Sequence, residues 1–177
     1  AVRAEVEETI IRRTVQALQS EGVDYKGVLY FGLMLTKDGP KLLEYNARFG
    51  DPEAQVVLPR MKNGLLDVMD AVIDGRLHEV TLEWDARSAV CVVMASGGYP
   101  GSYAKGLPIS GLEDVRDAIV FHAGTVKQDG VYVTSGGRVL GVTALGRDIA
   151  EAREKAYAEV RKISFEGAQY RTDIGIK

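Results

Sequence analysis

The stretch richest in chemistry is Leu43-Glu44-Tyr45-Asn46-Ala47-Arg48-Phe49-Gly50-Asp51-Pro52-Glu53. If it runs as a β-strand, Glu44, Asn46 and Arg48 share one face, because the side-chain period of a strand is two. That face would carry a carboxylate, an amide oxygen and a guanidinium within about 14 Å along the strand. Carboxylate and carbonyl oxygens are hard ligands that suit Mg²⁺, an ion usually held by one or two carboxylates together with substrate phosphates. A neighbouring arginine can grip a phosphate oxygen with its planar fork. Metal, positive charge and firm positioning are what phosphoryl transfer from a nucleotide requires.

A blander reading fits the same alternation. Glu, Asn and Arg on every second residue are also the ordinary pattern of a solvated strand face with a salt bridge. Two features weigh against it. Apolar neighbours suggest a covered sheet, in which three polar groups would need partners. The strand also runs into Gly50-Asp51-Pro52-Glu53, which brings two more carboxylates to the same end. Glu53 has its own alternative role, interaction with a helix dipole in the first turn.

The elements around this segment follow from hydrophobic spacing. Residues 3–20 read as a helix: Val6, Ile10, Val15 and Leu18 form its apolar side, Arg12, Arg13 and Gln16 its polar side, and Gly22 its stop. Apolar runs at 27–36 and 41–46 flank Lys37-Asp38-Gly39-Pro40 and predict an antiparallel hairpin. The first run is apolar on both faces, so the hairpin is expected to be covered on both sides. Pro52–Leu58 predicts a short helix capped by Asp51. A second helix is expected over 63–75, with Asn63 as cap and Gly75 as stop; its apolar side is Leu65, Leu66, Val68, Met69, Val72 and Ile73.

Around Leu77 to Arg87 the character turns from helical to β, which predicts a subdomain boundary. Strands are expected at 88–96, 117–122, 131–134 and 138–145, then a helix from about Asp148 to Ile163 with Ala150, Ala152, Ala156, Tyr157 and Val160 facing inward. No repeat of 20–50 residues is present. The expected architecture is α+β in two layers, mostly antiparallel.

Composition narrows the function classes. The 177 residues are 46% hydrophobic and 27% charged, the mix of an ordinary globular chain able to bury a core. A net charge of −3 without a Lys/Arg run argues against nucleic acid as a partner. No stretch nears the roughly 18 apolar residues of a membrane span, and the acidic amphipathic N-terminus does not read as a signal peptide. The first residue is Ala1, which suggests a processed or trimmed chain. Cys91, the only cysteine, lies in the apolar run Ala89–Met94. It reads as a buried strand residue, and its solitude fits a reducing cytoplasm.

Other candidates are weaker. His122, before Ala123-Gly124-Thr125, invites a general-base role, but no nucleophile or metal-type partner accompanies it; a structural or phosphate-contacting role ranks first. His78 reads as surface. Gly136-Gly137-Arg138 is expected to be a hairpin turn, with anion binding by backbone N–H groups second. Gly97–Gly101 has the same two readings. Tyr170-Arg171-Thr172-Asp173 is expected to be a tail docking through an Arg–Asp pair.

The run Leu43–Glu53 resembles the terminal metal-binding strand of ATP-grasp enzymes, and most closely that of the glycinamide ribonucleotide synthetase family. Gly27–Met34 resembles the strand preceding that motif. Gly98–Gly101, Phe121–Thr125, Thr134–Leu140 and Tyr170–Gly175 resemble segments of the family's C-terminal domain. Five such segments in this order make a specific resemblance.

The resemblance implies the following. Residues 1–82 would be the end of an ATP-grasp domain, an antiparallel sheet with helices, and 83–177 a small, mostly antiparallel C-terminal domain. The activity would be ADP-forming carbon–nitrogen ligation in purine biosynthesis, joining glycine to 5-phosphoribosylamine through an acyl phosphate, with ATP as co-substrate and Mg²⁺ or Mn²⁺ as cofactor. Glu44 and Asn46 would be metal ligands, Arg48 would stabilise the transferring phosphate, and Gly50, Asp51 and Pro52 would shape the floor of the substrate site. Only the C-terminal portion of the family pattern is matched. The N-terminal α/β domain, the glycine-rich flap and the lysine-bearing nucleotide strands have no counterpart, so the chain alone is expected to be inactive or nearly so. A complementary N-terminal chain or self-association would be its macromolecular partner. The alternative is a non-catalytic interaction or scaffold module derived from such a ligase.

Overall fold

The computed structural model describes residues 2–176. They form two compact units: one runs up to Gly50 and includes Asn63–Leu82, and the other comprises Asp51–Lys62 and the chain from Glu83 onward. The architecture is α+β, and every strand pairing in it is antiparallel.

The first unit opens with helix α1 (Val2–Val6), a π-helical turn (Glu7–Ile11) and helix α2 (Arg12–Ser20) in unbroken succession. The π-turn rotates the residues that follow it. Thr14 is thereby half-buried, its hydroxyl 2.9 Å from that of Tyr45, while Val15, expected on the inner side, is 43% exposed. Gly22 ends the helix as expected. With φ at +68° it lets Val23 N–H reach Leu18 O and Gly22 N–H reach Gln19 O, which satisfies carbonyls left over at the helix end.

Strands β1 (Tyr30–Thr36) and β2 (Gly39–Asn46) form the predicted hairpin. It is not covered on both faces: Leu35 and Leu43 are about two-thirds exposed and Met34 about half. Helix α4 (Leu65–Ile73) stops at Gly75 as expected, but its N-cap is Gly64. Asn63 does not cap it and instead donates from Nδ2 to Thr81 O. Its buried residue is Ala71, whereas Leu66 and Ile73 stand mostly exposed.

The second unit holds the main core. Strands β3 (Ser88–Ala95), β7 (Arg138–Gly146) and β4 (Ile119–His122) make a sheet in the order β3-β7-β4. Central β7 is buried along nearly its whole length, and helix α5 (Ile149–Val160) packs on β3 and β7. Val92, Met94, Val139, Leu140 and Val142 meet Ala152, Ala156 and Val160 at no more than 1% exposure. The small alanines let the helix approach the sheet closely. Ala150, expected inward, is exposed because it sits in the first turn, on the other side of the helix from Ala152 and Ala156. Asp148 caps α5 by accepting from Glu151 N–H at 2.8 Å. Cys91 is buried, and that burial pushes its thiol pKa above the usual value.

Strand β5 (Thr125–Gln128) pairs with β6 (Val131–Thr134) in a separate two-stranded sheet. The sequence reading missed β5, a four-residue segment in which only Val126 is apolar. Gly136 and Gly137 therefore do not close a hairpin; they lead the chain from the β5-β6 sheet into the central strand of the other. Gly124 and Gly136 pack backbone to backbone there, so closely that a Cβ on either would meet the other within 3 Å. The N–H groups of Ser135 and Gly136 go to Gly124 O, so they serve this crossing rather than an anion.

Helix α3 (Ala54–Val57) and the 3₁₀ turn after it belong to the second unit. Met61 bridges to Trp84, Lys62 N–H donates to Glu83 O, and the Arg60 guanidinium donates to Asp85 O. The chain thus enters this unit at Asp51, leaves it after Lys62 and returns at Glu83.

Candidate functional site

The hairpin of the first unit positions Glu44 and Asn46. Its ladder carries one irregularity: Gly32 faces Glu44, and Leu33 faces Leu42, so Leu43 is the extra residue of a bulge. A Cβ on buried Gly32 would lie 2.8 Å from Glu44 Cγ, so the absence of a side chain there is what admits the Glu44 side chain across the hairpin. No sequence signal singled out Gly32, because its role exists only through this cross-strand pairing.

Glu44 and Asn46 do share a face. Asn46 Nδ2 donates to Glu44 Oε1 at 3.3 Å. The bond aligns the two side chains while the amide oxygen of Asn46 and the second carboxylate oxygen of Glu44 remain as acceptors. Two hard oxygen donors at the edge of an open strand suit a small divalent cation that keeps several waters and phosphate oxygens in its shell. Among the described residues no cluster of three or more His, Cys, Asp or Glu is assembled, so this carboxylate–amide pair is not part of a larger all-protein cage.

Arg48 departs from the expected geometry. Strand β2 ends at Asn46, and Arg48 lies in the bend beyond it, so strand alternation no longer governs where its side chain goes. It is exposed, and Nη1 donates to Phe49 O at 2.8 Å, leaving donors on the rest of the guanidinium.

Gly50, Asp51 and Pro52 are divided by the fold, Gly50 falling in the first unit and the other two in the second. Asp51 is not the cap of α3, whose N-cap position is Glu53, with no side-chain capping bond. Both oxygens of the Asp51 carboxylate are engaged: Gln55 Nε2 donates to Oδ1 at 2.9 Å, and Arg138 Nη2 pairs with Oδ2 at 3.1 Å. Arg138 Nη1 also donates to Asp51 O at 3.2 Å. The sequence could not show this link, which joins residues far apart in the chain.

The remaining candidates take structural positions. His122 Nδ1 lies 2.9 Å from Thr125 Oγ1, and the ring leans on Tyr132 at 4.4 Å. His78 is exposed beside Glu79. The C-terminal tail docks by another route than expected. Its Arg171–Asp173 pair closes on itself, whereas Arg153 donates to the carbonyls of Thr172 and Ile174 and Tyr157 Oη donates to Arg171 O.

A metal-type donor pair on the last strand of an antiparallel hairpin, followed by a small α+β domain, has the outline of the end of an ATP-grasp domain with its C-terminal partner. Family comparison agrees. The family model described as phosphoribosylglycinamide synthetase, ATP-grasp (A) domain, matches residues 1–54, and that described as phosphoribosylglycinamide synthetase, C domain, matches residues 89–177. The chain belongs to the phosphoribosylglycinamide synthetase family.

It is 58% identical over 170 residues to the phosphoribosylamine–glycine ligase of Caldanaerobacter subterraneus, a match covering 96% of this chain and 41% of that protein. It is 51% identical over 175 residues to the trifunctional purine biosynthetic protein adenosine-3 of Gallus gallus, covering 97% of this chain and 17% of that one. The crystal structure of phosphoribosylamine–glycine ligase from Thermotoga maritima superposes with a TM-score of 0.84 at 38% identity, over 96% of this chain and 42% of that one. The chain thus spans about two-fifths of the length of the single-function relatives. No helix among the described residues is long and apolar enough to cross a membrane.

Proposed function

We propose that this chain is the part of an ATP-dependent ligase that supplies the metal-holding strand and the C-terminal domain for joining glycine to 5-phosphoribosylamine. The observation that carries this reading is the Glu44–Asn46 pair, aligned at 3.3 Å within a chain 58% identical to a phosphoribosylamine–glycine ligase. Residues 1–82 are then the end of the ATP-grasp domain and 83–177 the C-terminal domain, a division in line with the two family matches on either side, except that Asp51–Lys62 fold with the second unit.

Glu44 and Asn46 would hold Mg²⁺ or Mn²⁺, which when bound would neutralise nucleotide phosphate charge. Gly32 keeps the Glu44 side chain in place by leaving space for it. Arg48, with donors to spare beyond its bond to Phe49 O, steadies the charge on the phosphoryl group as the glycine carboxylate takes it from ATP. The amine of phosphoribosylamine then displaces phosphate from the acyl phosphate. Asp51, held by Gln55 and Arg138, gives the Gly50-Asp51-Pro52 segment a fixed shape at the substrate floor. Affinity for ATP needs enclosure on several sides, so these residues turn over only together with the rest of a ligase.

The test is glycine-dependent ADP release with Mg²⁺, ATP and phosphoribosylamine generated in place, measured with the chain alone and with a complementary N-terminal segment of a related ligase. Turnover is expected only in the combination, and Glu44→Ala should lower it about 100-fold or more. Weaker Mn²⁺ binding by the variant, followed by electron paramagnetic resonance, gives a readout independent of turnover. If Glu44→Ala changes neither, the metal assignment is wrong.

A further inference from the structure

Tyr45 stands between Glu44 and Asn46, and strand alternation sends its side chain to the opposite face of β2. There it meets the N-terminal helix, its hydroxyl 2.9 Å from that of Thr14. The direction of this bond follows from counting hydrogens. Thr14 Oγ1 donates its one proton to Ile10 O at 2.8 Å, so toward Tyr45 it can only accept. Tyr45 Oη is therefore the donor. Phe31, opposite it on β1, meets the Tyr45 ring in a T-shaped arrangement with centroids 5.5 Å apart. The tyrosine is held at its ring by a neighbouring strand and at its hydroxyl by a helix.

The helix reaches Tyr45 because its winding changes. Among the described residues up to Ser20, Val6, Ile10, Thr14 and Leu18 are half-buried, one every four. In an uninterrupted α-helix a step of four overshoots a turn by about 40°, and three steps would carry Leu18 about 120° round from Val6. The π-turn at Glu7–Ile11 fits more residues into one turn and takes back part of that drift. Thr14 is thereby aimed at the hairpin. A second contact fixes the helix lengthwise, for a Cβ on Gly39 would lie 2.6 Å from Glu5 Oε1. Glu5 abuts the first residue of β2, and Thr14 bonds the last but one.

The end of β2 needs such an anchor. Asn46 is the last residue of the strand, and the chain bends beyond it. The Asn46–Glu44 bond, exposed and 3.3 Å long, is too weak to hold the strand end by itself. Rotation of that end about the strand axis would turn Glu44 and Asn46 together, and it would also pull the Tyr45 hydroxyl off Thr14. The hydroxyl pair opposes the one motion that misdirects both oxygen donors at once.

We propose that Tyr45 and Thr14 are positioning residues for the metal pair: their hydrogen bond on the reverse face of β2 fixes the orientation in which Glu44 and Asn46 present oxygens to a divalent cation. The inference rests on the metal-binding reading of Glu44 and Asn46.

Titration of the full chain with Mn²⁺ alone, followed by electron paramagnetic resonance, tests it together with the Asn46 side-chain amide signals in ¹⁵N spectra. Tyr45→Phe keeps the ring on Phe31 and removes only the donor; it should weaken Mn²⁺ binding about two- to tenfold. Thr14→Val keeps the branched shape without the acceptor and should do the same, whereas Thr14→Ser should bind as the parent does. Both losses are of one bond, so the double variant Tyr45→Phe with Thr14→Val should be no weaker than either single one. Read without metal, the Asn46 side-chain signals should move in Tyr45→Phe and Thr14→Val and stay in Thr14→Ser. A merely structural bond would lower the thermal midpoint and leave both readouts in place. Parent-like Mn²⁺ binding in Tyr45→Phe, losses that add in the double variant, or an equal loss in Thr14→Ser would each overturn the inference. Glu44→Ala keeps the two readings apart. If it leaves Mn²⁺ binding unchanged while the Asn46 signals behave as expected, the metal reading fails and the anchoring of the strand end stands. Unmoved Asn46 signals in Tyr45→Phe overturn the anchoring whether or not the metal binds.

Discussion

The two units of this chain treat their apolar residues in opposite ways. The second buries a continuous core in which β7 is almost wholly enclosed and α5 lies on the sheet. In the first, Ala71 is the only buried hydrophobic residue among the described residues, while Leu35, Leu43, Leu66 and Ile73 are each at least 62% exposed. An apolar pattern specifies which face wants cover, but stability comes only where another element supplies it. The candidate metal pair stands on the poorly covered unit.

The sharpest way to break this contrast is a matched pair of truncations. Leu140→Ala, at a site 1% exposed, should cost about 2–5 kcal/mol in urea unfolding. Leu35→Ala, at a site 66% exposed, should change stability by no more than about 0.5 kcal/mol. Equal costs would show that the two units are covered alike in solution.

Next in size is Gly32→Ala. The added methyl must displace Glu44, and overpacking of this kind costs about 1–3 kcal/mol. It should also weaken Mn²⁺ binding at Glu44–Asn46, followed by electron paramagnetic resonance. Unchanged Mn²⁺ binding would remove Gly32 from the account of the site.

Asp148→Ala removes the cap of α5 and should lower stability by about 1 kcal/mol, read from the thermal midpoint. The same helix start sets a pH dependence. The side chain of Arg147, its backbone N–H and Lys155 bring the Glu151 carboxyl from its usual 4.5 down to about 2. The folded pKa is the lower one, so this stabilisation is fully present above about pH 4.5 and is lost as pH falls towards 2. Acid unfolding of Glu151→Gln should therefore be less steep in that window, and an unchanged slope would remove Glu151 from the account.

The smallest effect concerns association. Leu35→Ser should leave folding nearly unchanged yet reduce self-association in sedimentation velocity, since it takes apolar area from the open face of the hairpin. A strictly monomeric parent chain would count against an adhesive first unit.

Much of the local structure could be read from residue types. Gly22 and Gly75 end their helices because positive φ is cheap only without a Cβ, and Asp148 caps α5 because its short carboxylate reaches an unpaired N–H. The hairpin and the strands of the central sheet followed from apolar spacing and intervening turns. Where spacing erred, a non-local partner decided the outcome. The π-turn moved Val15 outward, and Asp51 turned from capping a helix to pairing with Arg138. Strand β5 exists because β6 is there to pair with it.

By itself, then, the sequence determined the β1-β2 hairpin, the helix stops at Gly22 and Gly75, the Asp148 cap and the sharing of one strand face by Glu44 and Asn46. These depend on backbone conformation and on periods of a few residues. Only the tertiary structure decided that Gly32 makes room for Glu44, that Arg138 holds Asp51, and that Thr14 meets the Tyr45 hydroxyl. Those are distances between residues remote in the chain. They arise from packing sheets, a helix and a tail together, and no local period encodes them.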